Sequence, residues 1–600
     1  MASSSPGTIP ALFARQAAFL AGQTLFLVKR EGAYRPITWQ QAAADVTALR
    51  TFLLAEQVNA GDRVVLFSEN RPEWGIADLA IQSVGAWTVP IYPTLTEPDL
   101  RAICRDCQPV VVIVSTSERA NLLVEIGRSL PAIRTIIVMQ PAQQHHAHVV
   151  AWSEALARGR ELEPRLRDFT ERRMAQLTSE DTATLIYTSG TTGEPKGVIL
   201  SHRNFLSNVL ASLEVIPITG RDLHLSFLPL CHVFERMAGW YLVLAVGGSI
   251  AYAESMDTIP ENMLEVRPTT MLGVPRFFEK LYARIQEGLQ QAPPLKRWLA
   301  AWALHVGQAR MARQLEGRAL SPWLALQHLL ARILVIRTLQ ARLGGRLRFF
   351  VSGSAPLSPQ IAEFFYSAGV TILEGYGLTE TSPVITVNRL PVPRFGSVGQ
   401  PLPGVEVRIA EDGEILTRGP HVMQGYYQQP EATAAVMEQG GWLHTGDIGR
   451  LDAEGRLFIT DRKKDLIKTA GGKFIAPQKL ENLFVSDPYI SQAFVCGDKR
   501  PYCVALIVPH AERIGRYAEA QGIPGRSLHE LAGNPRIVDF YWSLIQEKQR
   551  DLAGFEQVKK IALLDQEFSQ AAGELTPTLK AKRTTIAQRY AEVLDRLYST

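Results

Sequence analysis

One short segment, residues 185–197 (LIYTSGTTGEPKG), constrains the fold of this chain more than any other. An apolar run typical of a buried strand passes directly into a loop with three glycines, four hydroxyl side chains and a single lysine. Glycines let backbone N–H groups approach phosphate oxygens, while hydroxyls and a lysine add donors and positive charge. The alternative, a polar surface turn, seldom combines so many donors after a buried strand. The segment predicts a phosphate-binding loop, although not a Walker A loop, because GxxxxGK[ST] is absent.

The sequence around this loop alternates between short apolar runs and helical patterns. Residues 64–67 and 110–114 are apolar runs typical of strands, and a helical pattern lies between them at 74–85. This order predicts a βαβ unit, and hence an α/β fold with a parallel sheet and helices on its faces. Further apolar runs that we interpret as strands lie at 185–188, 225–228, 270–273, 347–352 and 371–374.

The character of the sequence changes near residue 396. Short strand-like runs with the turn dipeptides DG at 412–413 and EG at 454–455 predict β-barrel-like structure. A smaller α+β segment follows, in which Thr576 and Pro577 predict the start of the last helix. We therefore expect a large N-terminal domain of mixed parallel sheets with flanking helices over 1–461, and a small, mobile α+β domain over 462–600.

Bulk properties narrow the class of protein. A net charge of +4 over 600 residues gives no support for a nucleic-acid partner. Five scattered cysteines indicate a reducing compartment, and the CxxC formed by Cys104 and Cys107 lacks the second pair that a zinc site needs. The N-terminus has no secretory signal pattern, and the longest apolar stretch, 240–253, is shorter than the roughly 20 residues that span a bilayer. We expect a cytoplasmic protein and leave peripheral membrane attachment open.

Several further motifs follow the loop along the chain. With YTSGTTGEPKG at 187–197, they are LPLCHVFE at 228–235, SGSAPL at 352–357, GYGLTE at 375–380, GD at 446–447, TDRKKD at 460–465 and LTPTLK at 575–580. Together these motifs resemble those of the adenylate-forming superfamily of acyl-CoA synthetases, adenylation domains and luciferases. The resemblance covers nearly the whole chain, is strongest to long-chain fatty acyl-CoA synthetases, and implies the adenylate-forming fold.

The resemblance implies an ATP site. Tyr376 would face adenine, while Asp447 and Arg462 would hold the ribose. Glu380 suits a carboxylate that binds Mg²⁺, which keeps several waters and takes other ligands from phosphates. Plain alternatives stay open: core packing for Tyr376, a turn for Asp447, and a helix-start carboxylate for Glu380. The expected ATP- and AMP-binding residues are Thr188, Ser189, Gly190, Thr191, Thr192, Gly193, Lys196, Gly353, Ser354, Ala355, Tyr376, Gly377, Asp447 and Arg462.

Adenylation is the attack of a carboxylate on the α-phosphate of ATP, and negative charge grows there and on the leaving pyrophosphate. Positioned cations and donors therefore matter most. The resemblance assigns catalytic roles to Lys580, Glu380, Thr379 and His232. Taken alone, Lys580 could be a solvated lysine, with Lys582 as its nearby competitor, and His232 could be a core histidine.

The resemblance also implies a second orientation of the C-terminal domain, for thioester formation. Its hinge would be Lys464. Gly471, Gly472 and Lys473 would then line a tunnel for the pantetheine arm of coenzyme A, since paired glycines allow close backbone approach. An ordinary hairpin turn is the alternative for the two glycines.

The connection between the strand near 272 and the SGSAPL loop is long, apolar and basic. Residues 291–345 contain eight basic residues and one acid, Glu316. We expect a basic helical insert at about 281–345. Such an insert is consistent with a long acyl substrate and with contact with an anionic membrane. A solvated face on helices packed against the domain explains the same pattern equally well.

The sequence therefore predicts an AMP-forming, long-chain fatty acid:CoA ligase. ATP, Mg²⁺ and coenzyme A would serve as cofactors and co-substrates. The alternative is a fatty acyl-AMP ligase that loads a carrier protein rather than CoA. A homodimer is left open.

Overall fold

The structure, a computed structural model, describes residues 7–140, 148–188, 195–471, 473–525, 527–576 and 581–599. Within these residues the strands form two large mixed sheets, a four-stranded antiparallel sheet and two small sheets near the C-terminus. Helices cover the large sheets. The α/β class expected from the sequence is confirmed.

The first large sheet contributes the ends of two parallel strands, Phe349–Ser352 and Thr371–Gly377, to the candidate site. Its central strands run parallel, and its edges are antiparallel. Central strands such as Phe349–Ser352 are wholly buried, as expected when helices cover both faces. In spatial order the strands are Gln400–Pro401, Val384–Val387, Thr371–Gly377, Phe349–Ser352, Thr270–Gly273, Leu223–Ser226, Ser249–Tyr252, Thr24–Arg30 and Ala33–Thr38.

The second large sheet carries the strand that enters the phosphate loop, Thr182–Thr188. Sequence analysis missed its neighbour Trp87–Ile91, which pairs in parallel with both Arg63–Phe67 and Thr182–Thr188. In spatial order the strands are Gly425–Tyr426, Lys196–Ser201, Thr182–Thr188, Trp87–Ile91, Arg63–Phe67, Val111–Val114, Thr135–Val138 and Val149–Ala151.

Local signals fix many helix starts in the N-terminal part. Thr38 and Gln41 form a capping box at Trp39–Ala55, and proline opens Pro72–Ser83. In this part of the chain, the α-helices outside the insert are Ile9–Leu20, Trp39–Ala55, Pro72–Ser83, Glu97–Cys107, Ser117–Gly127, Trp152–Ala175, His202–Val215, Leu242–Val246, Ile259–Val266, Pro359–Ser367 and Pro430–Ala434, with a π-helix at Glu235–Tyr241 and a 3₁₀ turn at Thr379–Thr381.

The basic insert is helical throughout most of its length. Its helices are Pro275–Gln290, Pro294–Leu315, Pro322–Ala331 and Arg337–Arg342, with the π-helix Arg332–Ile336 between the last two. Among the described residues, no helix combines the length and the apolar character needed to cross a bilayer.

The strand-rich region after 396 is a four-stranded antiparallel sheet of Glu406–Ile409, Glu414–Arg418, Leu443–Leu451 and Leu457–Arg462. From residue 467 onwards, buried apolar residues form clusters of their own. This part has the strands Ile467–Lys468, Phe474–Ile475, Ile490–Cys496, Cys503–Pro509 and Val558–Leu563, and the helices Pro477–Val485, Ala511–Ala520, Leu528–Ala532, Pro535–Lys548, Arg583–Arg589 and Ala591–Tyr598.

The penultimate helix begins at Arg583, so the prediction of a helix start at Thr576 is wrong. Leu575 instead forms an antiparallel bridge with Ala581. The N–H of Lys582 also donates to the carbonyl oxygen of Glu574 at 2.8 Å, so a long-range pairing, which a local Thr-Pro signal does not reveal, precedes the helix.

Arginines join the C-terminal part to the first helix of the insert, Pro275–Gln290. Arg276 donates to the carbonyl oxygen of Ser491 at 2.5 Å and to its hydroxyl at 3.0 Å. Arg516 pairs with Glu287 at 2.5 Å on the same helix. The insert is thus in contact with the C-terminal part through charged side chains.

Candidate active site

A triad of polar side chains lies where the first large sheet meets the four-stranded sheet. The hydroxyl of Tyr376 donates to Asp447 at 2.6 Å, and Nε of Arg462 donates to the other carboxylate oxygen of Asp447 at 3.0 Å. Asp447 and Arg462 are direct cross-strand partners. Burial and the adjacent Asp447 raise the pKa of Tyr376 well above its usual value, so the phenol stays a donor. The structure therefore brings together three residues expected to hold adenosine.

A second cluster surrounds the expected metal ligand. The hydroxyl of Tyr426 donates to Glu380 at 2.9 Å, and the ammonium of Lys196 lies 5.1 Å from the centre of the Tyr426 ring. Tyr426 belongs to the edge strand that pairs with the strand of Lys196. A cation over an aromatic face is electrostatically favoured. One phenol thus links the lysine and the carboxylate expected at the phosphates.

Glu380 is suited to hold Mg²⁺. A carboxylate oxygen is a ligand that this ion prefers. The described residues contain no group of three or more His, Cys, Asp or Glu side chains that could hold a metal. A magnesium ion here would therefore take most of its ligands from phosphates and water, and would neutralise charge on them.

Glycines keep the expected adenine-binding segments close to their neighbours. A Cβ on Gly377 would lie 1.8 Å from the carbonyl oxygen of Pro383, so no other residue fits there. A Cβ on Gly353 would lie 3.0 Å from the ring of Phe234. Ser354 adopts a positive φ of 70°, which is uncommon for a residue with a side chain. With Ala355, this turn leads away from the buried end of strand Phe349–Ser352.

A buried carboxyl underlies this region. The carboxyl of Glu374 accepts hydrogen bonds from the backbone of Leu357 and Gly396, and burial raises its pKa to about 8. Glu374 is the strand partner of Ser352. It therefore ties the end of the SGSAPL loop to the strand that leads to Tyr376. Sequence analysis did not single it out.

His232, within the LPLCHVFE segment, is half-buried. Its Nδ1 accepts from the backbone N–H of Phe234 at 3.2 Å, and its ring centre lies 6.4 Å from that of Tyr92. The adjacent Arg236 is fully buried, and its guanidinium pairs with Asp78. The segment that carries His232 is thus anchored in the core.

The remaining expected nucleotide contacts are only partly described. Thr188 ends its strand and is the cross-strand partner of Lys196. Thr379 opens the 3₁₀ turn that contains Glu380. Seven of the expected residues lie outside the described part of the chain and stay predictions: Ser189, Gly190, Thr191, Thr192, Gly193, Gly472 and Lys580.

The expected hinge is surrounded by charge. Lys464 is exposed, whereas its neighbour Lys463 bonds to Asp412 at 2.6 Å and to Glu414 at 2.8 Å. Burial raises the pKa of the Asp461 carboxyl to about 7. Its Oδ2 has no hydrogen-bond partner within the part of the chain that the structure describes. A titratable group therefore lies at the proposed domain boundary; the TDRKKD motif contains it, but no sequence signal indicated its raised pKa.

The expected coenzyme A segment forms a small hairpin in the C-terminal part. Gly471 and Lys473 are exposed, and the N–H of Thr469 donates to the carbonyl of Lys473 at 3.0 Å. The Lys473 ammonium lies 5.6 Å from the ring centre of the exposed Phe555. The tunnel role of this hairpin stays a prediction.

Cys104 and Cys107 take no part in the site. Both are free thiols buried on the helix Glu97–Cys107. Burial raises the pKa of the Cys104 thiol to about 12, and it also raises the pKa of the Cys107 thiol well above its usual value. Such thiols are poor nucleophiles and poor metal ligands at neutral pH.

The fold is that of adenylate-forming enzymes. The adenylation domain of a carboxylate reductase from Mycobacterium chelonae matches with a TM-score of 0.74 at 23% identity, covering 100% of this chain and 92% of that chain. ATP-bound MatB from Rhodopseudomonas palustris matches with a TM-score of 0.69 at 23% identity, covering 98% and 99%. These likenesses establish the architecture.

Comparison of the amino-acid sequence with family models is more specific than comparison of the fold. The family model described as AMP-binding enzyme matches residues 13–427, and the model of the AMP-binding enzyme C-terminal domain matches 464–600. The chain belongs to the AMP-binding enzyme family.

Curated relatives are similar over most of their length. The long-chain-fatty-acid–CoA ligase FadD15 of Mycobacterium tuberculosis is 35% identical, over 95% of this chain and 93% of its own. The peroxisomal long chain acyl-CoA synthetase 6 of Arabidopsis thaliana is 33% identical, over 94% and 82%. The long-chain-fatty-acid–CoA ligase 5 of Rattus norvegicus is 32% identical, over 94% and 85%.

Proposed function

We propose that this enzyme is an AMP-forming ligase that joins long-chain fatty acids to coenzyme A. The observation that carries the proposal is the similarity to long-chain-fatty-acid–CoA ligases over most of both chains. In the first step a carboxylate oxygen of the fatty acid bonds to the α-phosphorus of ATP, and pyrophosphate leaves. In the second step the thiolate of coenzyme A attacks the carbonyl carbon, and AMP leaves as the thioester forms.

Each cluster has a place in the first step. We assign adenosine to Tyr376, Asp447 and Arg462, because an aromatic face and a carboxylate with a fixed partner suit a base and a diol. The phosphates belong beside Lys196, where Glu380 would hold Mg²⁺. The turns at 353–355 and at 377 would lie against the nucleotide between these groups.

Other residues are assigned on the resemblance described above. Lys580 would neutralise the transition state of adenylation, and Thr379 and His232 would lie beside the reacting groups. After rotation about Lys464, the hairpin with Gly471 and Lys473 would admit the pantetheine arm. These assignments also account for the domain boundary at 461/462 that we propose.

The decisive experiment supplies ATP, Mg²⁺, coenzyme A and saturated fatty acids of increasing chain length to the purified enzyme. We expect pyrophosphate release and thioester formation to peak together on long acids. Release of pyrophosphate without any thioester would favour the alternative, an acyl-AMP ligase that loads a carrier protein. Omission of Mg²⁺ should abolish both signals.

The proposal also covers the location of the enzyme and its oligomeric state. We propose a cytoplasmic enzyme with a peripheral contact to an anionic membrane through residues 291–345. A homodimer is a separate proposal, which sedimentation of the purified chain tests directly.

A further inference from the structure

Large apolar side chains are exposed to an unusual degree on the insert. Of the 17 large hydrophobic residues that are exposed in the described chain, nine lie between 295 and 334. Trp298 and Trp323 are 63% and 66% exposed. Soluble proteins expose scattered apolar residues, but a concentration of them marks a binding surface. We call the exposed set on the third insert helix and its π-helical extension the apolar face: Trp323, Leu326, Leu329, Leu330, Ile333 and Leu334.

The apolar face is presented by a helix that is already packed on its other side. Ala331 and Ile336 are buried against Ala303 and Val306 of the preceding helix. Positions 323, 326, 330 and 333 follow the spacing of three and four residues that defines one side of a helix. The fold therefore fixes this helix in place and leaves its apolar side outward.

Positive charge accompanies the apolar face. The insert residues 291–345 contain eight basic side chains and one acid, Glu316. Glu316 pairs with Arg318 at 2.9 Å, and in the part of the chain that the structure describes the other seven have no carboxylate partner. The charges belong to Lys296, Arg297, Arg310, Arg313, Arg318, Arg332, Arg337 and Arg342.

We infer that the apolar face inserts into the interface of an anionic lipid bilayer. The inference rests on the proposed function in one respect, since it names the partner that presents the acyl substrate. A fixed helix with tryptophan and leucine on one side, in an insert with surplus basic residues, matches the surface of an anionic leaflet in both apolarity and charge. A second copy of the chain fits less well, because a two-fold contact would bring like charges together.

Vesicle co-sedimentation tests the inference with the full chain. The probes are phosphatidylcholine vesicles with and without phosphatidylglycerol. We expect binding to the anionic vesicles, weakened by high salt, and much weaker binding to neutral ones. Two variants should each lose about tenfold or more of the partition coefficient: Leu326→Ser/Leu330→Ser/Ile333→Ser and Arg332→Glu/Arg337→Glu/Arg342→Glu.

A matched control changes apolar residues that are exposed elsewhere. Phe19→Ser/Phe169→Ser removes two exposed aromatics from other helices and should bind vesicles like the wild type. Each variant should keep wild-type activity on a short, water-dispersed acid, which shows that the fold is intact. Because sedimentation needs no turnover, loss of vesicle binding and loss of ligase activity are separate results.

Three outcomes would overturn the inference. The first is wild-type chain that stays in the supernatant with anionic vesicles. The second is undiminished binding in either insert variant. The third combines two results: the wild type is a dimer, and the serine variant is a monomer that still binds vesicles. That outcome would assign the apolar face to self-association.

Discussion

The hydroxyl of Tyr426 donates to the carboxylate of Glu380 at 2.9 Å and so joins the edge of one large sheet to the strand end of the other. Tyr426→Phe removes this donor and leaves the ring beneath Lys196. Because a hydrogen bond to a charged group contributes about 1.5–3 kcal/mol, we expect adenylation to slow by about tenfold or more and the Mg²⁺ requirement to rise. Pyrophosphate release at varied Mg²⁺ measures both.

The neighbour Tyr427 provides the matched control for that experiment. Its ring packs edge-on against Trp87, 6.0 Å between centres. Tyr427→Phe should leave the magnesium dependence unchanged. A Tyr426→Phe enzyme with wild-type magnesium dependence would contradict the link to Glu380.

Removal of the carboxylate between Tyr376 and Arg462 should weaken nucleotide binding. On the proposed assignment the ribose would lose its acceptor in Asp447→Ala, and Tyr376 and Arg462 lose their shared partner. We expect the KM for ATP to rise by about a hundredfold, the scale of one or two buried hydrogen bonds to a charged group. Glu454→Gln, which changes an exposed carboxylate in the turn between the strands of Asp447 and Arg462, should have no such effect. Unchanged KM in Asp447→Ala would remove the residue from the nucleotide site.

Lys580→Ala should separate the two half-reactions. A cation that neutralises the pyrophosphate leaving group is needed in the first step and not in the second. We expect adenylation to fall by about a hundredfold or more, while thioester formation from supplied acyl-adenylate stays near the wild-type rate. Lys582→Ala is the control, and equal loss of both half-reactions would refute the assignment.

Gly377→Ala should be poorly tolerated for a purely steric reason. The new methyl group would meet the carbonyl oxygen of Pro383 at 1.8 Å, whereas a Cβ on Gly375 would have 3.5 Å to its nearest neighbour. We expect Gly377→Ala to lower the free energy of unfolding by about 2–3 kcal/mol and Gly375→Ala to change it by less than about 1 kcal/mol. Thermal unfolding measures the difference, and equal melting temperatures would contradict the packing described.

Asp461→Asn should stabilise the protein in a pH-dependent way. The folded pKa of about 7 lies above the ordinary value of 3.8, so the folded state resists losing this proton. The free energy of unfolding therefore falls as pH rises from about 4 to 7. Above pH 7 the full cost of ionising the buried carboxyl applies. The variant should gain about 1–3 kcal/mol at pH 8 and much less at pH 5.

Two measurements make the Asp461 prediction specific. Melting curves of both proteins at pH 5 and pH 8 give the difference directly. Asp551→Asn, at a carboxylate whose side chain is 92% exposed, should show no gain at either pH. A pH-independent gain in Asp461→Asn would point to a cause other than ionisation.

Sequence patterns predicted the strands that carry the site because the signals are local. The strand predicted at 270–273 is found as Thr270–Gly273, and Asp447 and Arg462 stand out through their motifs. Trp87–Ile91 escaped notice because it follows a buried helix with only Val84, Gly85 and Ala86 between. Its apolar run therefore merges with that of the helix.

Long-range partners could not be predicted at all. Tyr426 contacts Lys196 only because its two-residue strand pairs with Lys196–Ser201. A run of two residues at 425–426 is too short to predict that pairing. The raised pKa of Asp461 depends likewise on which residues bury it. The solvent exposure of the apolar side of the insert helix could not be predicted either. Periodicity shows that a helix has an apolar side but not whether another element covers it.

The contact between Asp447 and Arg462 has a thermodynamic consequence. Arg462 is the last residue of the four-stranded sheet, and the C-terminal chain departs from it. A ligand that engages Asp447 therefore acts on the point from which that chain departs. Coupling free energies are reciprocal. If the C-terminal residues adopt the two orientations proposed above, any factor by which a bound nucleotide shifts the balance between them is also the factor by which that balance changes the affinity for the nucleotide.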